Sequence, residues 1–124
     1  MIKITLRELV GSRNVLLKIS RFEVSAKNSF IISKFTKKIE SEFVDFTEKH
    51  DALVTKYGTK NDEDGKYMVS AEGENWVPFN NELKELLDLE IEIPIEKVDL
   101  EILEENKITS QEFTAISFLF KEQN

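Results

Sequence analysis

The sequence predicts a mainly α-helical domain of the α+β class, built on an antiparallel helical hairpin with one very long arm. Three observations lead to this prediction: an apolar stripe with helical spacing over residues 26–57, two motifs typical of helix starts, and one short stretch that alternates like a strand. The chain has 124 residues, of which 40% are hydrophobic. That size suits one domain over residues 1–124.

The long arm is expected from Ala26 to Tyr57, because its apolar positions are separated by steps of three and four residues and so share one helical face. Ser25 precedes it as a candidate N-cap, and Gly58 follows it, where we expect a left-handed glycine to end the helix. The stripe consists of Ile32, Phe35, Ile39, Phe43, Phe46, His50, Leu53 and Tyr57.

The short arm is expected over residues 6–20. Thr5 and Glu8 have the spacing of a capping box, in which a hydroxyl and a carboxylate satisfy the free N–H groups of a helix start. Residues 1–4 are expected to form an extended lead-in. Residues 21–24 alternate apolar and charged side chains and are expected to connect the two arms as an extended loop.

After the long arm, the sequence predicts smaller elements. Residues 61–65 form a turn, a short strand is expected at 66–69, and residues 70–78 are interpreted as a loop held by Trp76. Apolar residues recur at helical spacing over residues 79–88, which predicts a third, amphipathic helix lying on the long arm.

From Leu89 to Ile95 the apolar period changes to two, which is typical of a half-buried strand. Pro94 cannot donate to a β-ladder, so an interior position in a sheet is not expected for its strand. Thr109 and Glu112 form a second capping box, which predicts a short C-terminal helix.

The charge is distributed unevenly along the chain. Residues 1–40 hold nine Lys and Arg against three Glu, whereas residues 41–124 hold eight Lys against 21 Asp and Glu, for a net charge of −7. This balance argues against general binding of nucleic acid, which requires a surplus of cations. Two interpretations stay open: the charges compensate within one molecule, or they steer a contact with a partner.

The composition also bears on compartment and chemistry. The chain has no cysteine, no apolar run near the roughly 20 residues of a membrane span, and no signal-peptide pattern. We expect a soluble, cytoplasmic protein that does not contact membranes. No phosphate loop or hydrolase motif is present, so no enzymatic activity, catalytic residue or cofactor is expected.

Two features resemble metal or proton sites and are given other interpretations. The 61–65 turn has calcium-loop residues, but the register would place Lys60 at the first ligand position and Ala71 at the twelfth, so no metal site is expected. His50 is the single histidine and lies on the apolar stripe. We interpret it as a packed residue, with a pH-sensitive contact as the alternative.

The candidate interaction residues come from the stripe and from the aromatic residues after it. A rod of about 48 Å is longer than a chain of this size is wide, so we expect part of the stripe to need a partner in a coiled-coil-like contact. Packing within the chain's own core is the competing interpretation. The candidate residues are Phe35, Phe43, Phe46, His50, Leu53, Trp76 and Phe79.

Several stretches together give the chain a family resemblance. They are Leu53–Gly58, Asn61–Tyr67, Phe79–Leu87 with Glu90–Ile93, and the helix start Ile108–Glu112. In these the chain resembles small uncharacterised proteins of tailed phages and prophages.

The resemblance implies an accessory, assembly or virion-associated protein found in the host cytoplasm or in the virion, and it transfers no catalytic residue. The implied partner is a protein, either further copies of the chain or a phage structural protein. An acidic inhibitor of a host enzyme or defence protein is the alternative function, and a small enzyme with an unrecognised carboxylate site is the third.

Overall fold

The computed structural model describes residues 1–122. In this part of the chain the mainly helical α+β prediction, with one long helix, is confirmed. The elements follow in the order β1 (Ile2–Thr5), α1 (Leu6–Ile19), α2 (Ala26–Tyr57), β2 (Thr59–Lys60), β3 (Tyr67–Met68), α3 (Trp76–Leu87), β4 (Glu90–Ile93) and α4 (Ser110–Ile116), with 3-10 turns at Leu100–Leu103 and Ser117–Leu119.

The helical hairpin forms as expected. The Thr5 hydroxyl accepts a hydrogen bond from Glu8 N at 3.2 Å, and the Glu8 carboxylate accepts one from Thr5 N, so the predicted capping box starts α1. Two contacts give the relative direction of α1 and α2. Ile19, at the end of α1, borders the same cavity as Ile32 near the start of α2, whereas the earlier Arg13 donates a hydrogen bond to the later Glu40. The two helices therefore run antiparallel.

The inner face of α2 is covered by different segments along its length. Its first half carries the buried residues Ile32, Phe35 and Ile39, which belong to one core with α1 and the 3-10 turn at Leu100–Leu103. Its second half contacts α3 and β3. The chain thus covers most of the stripe itself.

A two-stranded sheet joins the start of the chain to its second half. β1 and β4 are antiparallel, with Ile2 opposite Ile93 and Ile4 opposite Ile91. The isoleucines face the core, while Lys3 on the same strand is exposed, which is the alternation of a half-buried strand. β4 ends before Pro94, in keeping with the predicted limit, but the residues expected to form only a lead-in supply its partner strand.

Two details of the sequence prediction are wrong. α3 begins at Trp76 rather than at Phe79, so the end of the expected loop is the first helical turn. Pro78 fits there because the first N–H groups of a helix have no partner within it.

The second error concerns Gly58, which ends α2 in an extended conformation with φ of −91° instead of the left-handed one. A Cβ at this position would collide with the Val54 carbonyl oxygen and lie 2.9 Å from the Met68 carbonyl oxygen. Glycine is therefore required here by the carbonyl oxygen of the last turn of α2 together with the close approach of β3.

The second capping box also ties α4 to α1. Glu112 accepts hydrogen bonds from Thr109 N at 2.9 Å and from Lys18 Nζ at 2.9 Å. These bonds favour the ionised carboxylate, so the Thr109 N–H, followed by the Lys18 ammonium, holds the pKa of Glu112 below its ordinary value. One carboxylate thus starts a helix and joins two of them.

We expect Phe35→Ala to destabilise the fold by about 3–5 kcal/mol, because it deletes a buried aromatic ring. Phe43→Ala should lower the free energy of unfolding by less, since that ring is only half-buried. Urea unfolding followed by circular dichroism measures both free energies of unfolding. Equal losses would contradict the difference in burial between the two rings.

We expect the melting temperature to fall on acidification partly because of Glu112. A carboxylate with a lowered pKa in the folded state stabilises the fold above its unfolded pKa, and this contribution is lost as pH falls through the folded pKa. Glu112→Gln should lower the melting temperature at pH 7 and flatten its dependence on pH below about 5. Glu105→Gln, at an exposed position, is the control, and parallel curves for Glu112→Gln and wild type would contradict this account.

Candidate interaction surface

The start of α2 is held against the segment that follows β4. The Glu104 carboxylate accepts hydrogen bonds from Ser25 N and from Asn28 Nδ2, both at 2.7 Å, and these bonds lower the pKa of Glu104. Further along, Lys38 Nζ donates to the Pro94 carbonyl oxygen at 3.0 Å. These polar contacts fix the side of α2 on which the segment lies.

An apolar groove of about 330 Å³ runs between this segment and α2. Lysine side chains border it, and aliphatic and aromatic side chains form its floor. The groove is lined by Phe30, Ile31, Lys34, Phe35, Lys38, Pro94, Ile95, Glu96 and Val98.

Phe30 is the most exposed aromatic residue of this region, with 69% of its surface accessible. It borders both this groove and an adjoining one lined by Ser33, Lys34, Lys37 and Lys38. An accessible phenylalanine among lysines has no partner in the described part of the chain, so it is a candidate anchor for another molecule.

Sequence reasoning passed over Phe30 because it lies outside the stripe. Successive helical residues are about 100° apart, so Phe30 points roughly away from Ile32, which lies two residues later. The signal that could have identified it is an aromatic residue on the polar side of a helix, spaced four and seven residues from Lys34 and Lys37.

The predicted interaction residues mostly lie elsewhere, in an internal aromatic cluster at the far end of α2. Phe46 and Phe79 are 8% and 6% exposed, and the His50 ring lies between them at centroid distances of 5.9 and 6.5 Å. The Phe79 ring also packs against the Trp76 and Tyr57 rings, with centroid distances of 6.1 and 6.4 Å. The structure brings these residues together, but as packing between α2 and α3.

The remaining predicted residues are also covered by the chain itself. Phe35 is 3% exposed in the main core, and Phe43 lies under the Arg13 guanidinium at 4.2 Å. Leu53 is half-buried beside Leu86 of α3. The chain's own segments thus bury the stripe in part, and the expectation that the rest of it needs a neighbouring molecule stays a prediction. The stripe residues left half-buried are Phe43, His50, Leu53 and Tyr57.

In the acidic turn at residues 61–65, side chains accept hydrogen bonds from backbone N–H groups two residues further along. Asn61 Oδ1 accepts a hydrogen bond from Glu63 N, and Asp64 Oδ1 accepts one from Lys66 N, each at 2.9 Å. Gly65 completes the turn at a positive φ of 71°, which glycine adopts without strain. Among residues 1–122, no three His, Asp or Glu side chains are grouped so that they could hold a metal ion.

No protein-family model, curated protein or solved structure matches the chain. In the described residues, no helix has both the length and the apolar character needed to cross a membrane. The candidate site is therefore inferred only from the contacts and the exposure of the chain's own residues.

We expect Phe79→Ala to disrupt the aromatic cluster, with a loss of about 3–5 kcal/mol in stability. Trp76 is the single tryptophan and touches Phe79, so its fluorescence should shift to longer wavelength as the indole gains water. Val77→Ala, at an exposed position of the same helical turn, is the control. An unchanged emission maximum in Phe79→Ala would mean that the rings do not pack as described.

Proposed function

We propose that this chain is a non-catalytic protein-binding subunit, encoded by a tailed phage or prophage, that works in particle assembly or in the virion. The phage assignment is supported by the resemblance of the sequence. The binding role is supported by a single structural observation: Phe30 stands exposed beside an apolar groove on the outer side of α2.

The groove has the composition of a protein-binding surface. Interfaces concentrate their binding energy in aromatic anchors that become buried in apolar pockets, with polar side chains around the rim. Complete burial of a phenylalanine contributes about 1.5–3 kcal/mol. Here Phe30 supplies the anchor, Ile95 and Val98 contribute to the apolar floor, and Lys34 and Lys38 supply the rim.

The charge on the rim indicates which partner fits. Lys34 on the rim and Lys37 of the adjoining groove are exposed and form no ion pair in residues 1–122. A protein segment with apolar side chains and carboxylates would satisfy both the groove and its rim. Nucleic acid fits less well, because the same helix carries Asp45, Glu48 and Asp51 further along.

The acidic inhibitor ranks second. It would need a free acidic surface, and several carboxylates are instead paired with cations of the chain's first segment: Glu90 with Lys3, Asp88 with Arg7, and Glu112 with Lys18. This pairing supports the interpretation that the charges compensate within one molecule.

Phe30→Ser tests the proposal in cells that produce the phage particle. We expect the wild-type chain to co-purify with particles or their precursors at fixed stoichiometry, and Phe30→Ser to lower its amount about tenfold. The melting temperature should stay unchanged, since Phe30 is exposed. Quantitative mass spectrometry of gradient-purified particles measures the amount.

Val77→Ser is the matched control, because Val77 is 64% exposed on α3, away from the groove. Equal amounts of wild type and Phe30→Ser on particles would contradict the binding surface. Absence of the wild-type chain from particles, with recovery on a host enzyme that salt releases, would favour the inhibitor instead.

A further inference from the structure

The outer face of α2 is open over most of its length. Every third or fourth residue from Phe30 onward is exposed, at positions that the inner core does not use: Phe30, Lys34, Lys37, Ser41, Val44, Glu48 and Asp51. These residues span about 32 Å of helix. In residues 1–122, no other element covers this face.

The charges on this face change sign at Ser41. Lys34 and Lys37 precede it, and Glu48 follows it, together with Asp45, which is exposed beside Val44 at the edge of this face. None of these four charged residues forms an ion pair in the described chain. A helix by itself favours the opposite order, with acidic residues near its N-terminus, where the macrodipole is positive. The first turn of α2 has no acidic residue. The stability of the isolated helix therefore does not account for this order of charges.

The order is self-complementary about Ser41. Lys34 and Glu48 are each seven residues from Ser41, and Lys37 and Asp45 are each four residues from it. When two copies of α2 lie antiparallel and cross at Ser41, Lys34 of one copy faces Glu48 of the other, and Lys37 faces Asp45. A two-fold axis gives every such contact twice, which is the isologous arrangement of most homodimers.

We propose that two copies of this chain associate through the outer face of α2, antiparallel and centred on Ser41. The inference rests on the proposed function, because it names the partner as a second copy of the chain. A parallel pair in register would place Lys34 against Lys34 and Glu48 against Glu48, which is repulsive. The antiparallel register thus accounts for the charge pattern, and the parallel register opposes it.

The apolar anchor fits the same register. Phe30 lies eleven residues before Ser41, and Ala52 lies eleven residues after it. An exposed aromatic ring of one copy thereby faces a small, exposed residue of the other, next to the groove beside Pro94. At the crossing point, the small side chain of Ser41 allows the two helices to approach closely.

Charge exchange tests the contact in the full-length chain. We expect a concentration-dependent dimer in sedimentation equilibrium, weakened by salt because its ion pairs are exposed. K34E/K37E should raise the dissociation constant at least about tenfold, and so should D45K/E48K. The fourfold variant K34E/K37E/D45K/E48K should restore it, because opposite charges again face each other.

The control is K84E/K107E, which changes the net charge by the same amount at exposed positions outside α2. Circular dichroism at 222 nm and the melting temperature check that each variant is folded. A fourfold variant as weak as either double variant would overturn the proposed register.

Cross-linking tests the centre of the contact directly, because the protein has no native cysteine. S41C should form a disulfide-linked dimer under mild oxidation, since the two copies of this position meet on the two-fold axis, within the 4.4–6.8 Å between Cα atoms that a disulfide needs. T55C should not, because its copies lie at opposite ends of the contact. Cross-linking of T55C but not of S41C would overturn the antiparallel arrangement.

A chain that stays monomeric at about 100 µM would overturn the dimer. The proposed function then still stands if Phe30→Ser lowers the amount of chain on particles, because Phe30 would be binding a different protein. Conversely, a dimer that cross-links through S41C but never associates with particles would support the dimer and contradict the phage role.

Discussion

A helix of 32 residues, about 48 Å long, has to be covered along one face by a chain of only 124 residues. No single partner element is long enough, since α1 has 14 residues and α3 has 12. The chain therefore divides the cover, with α1 and the segment after β4 over the first half of α2 and with α3 and β3 over the second. This division produces two centres of packing, a mainly aliphatic main core and an aromatic cluster around Phe79.

The divided cover requires that distant parts of the chain meet. β1 pairs with β4, and Lys18 of α1 bonds Glu112 of α4 at 2.9 Å. The ion pairs among these elements are largely exposed, so solvent screens them and each contributes little to stability. Their larger effect is on the charge distribution, because they pair cations of residues 1–40 with carboxylates of residues 41–124. The lysines in the first half of α2 form no such ion pair in the described residues.

The two faces of α2 consequently differ in composition and in exposure. The inner face is apolar and largely covered by the chain's own residues, although Phe43 and Leu53 stay half-buried. The outer face is polar, ordered in charge and interrupted by the exposed Phe30. A partner that covered the Phe30 ring would gain the free energy of burying its apolar surface. The proposed binding role follows from that contrast between the faces.

The sequence by itself determined the elements that depend on local spacing. The bounds of α2, both capping boxes and the turn at 61–65 follow from contacts between residues two to four positions apart, which a linear pattern contains. Tertiary structure alone decided the rest. The pairing of β1 with β4 and the cover over Phe35 and Phe46 depend on contacts between segments far apart in the chain. Periodicity shows that a face is apolar, but only the packed chain shows whether its own residues already fill it, and here they left Phe30 exposed.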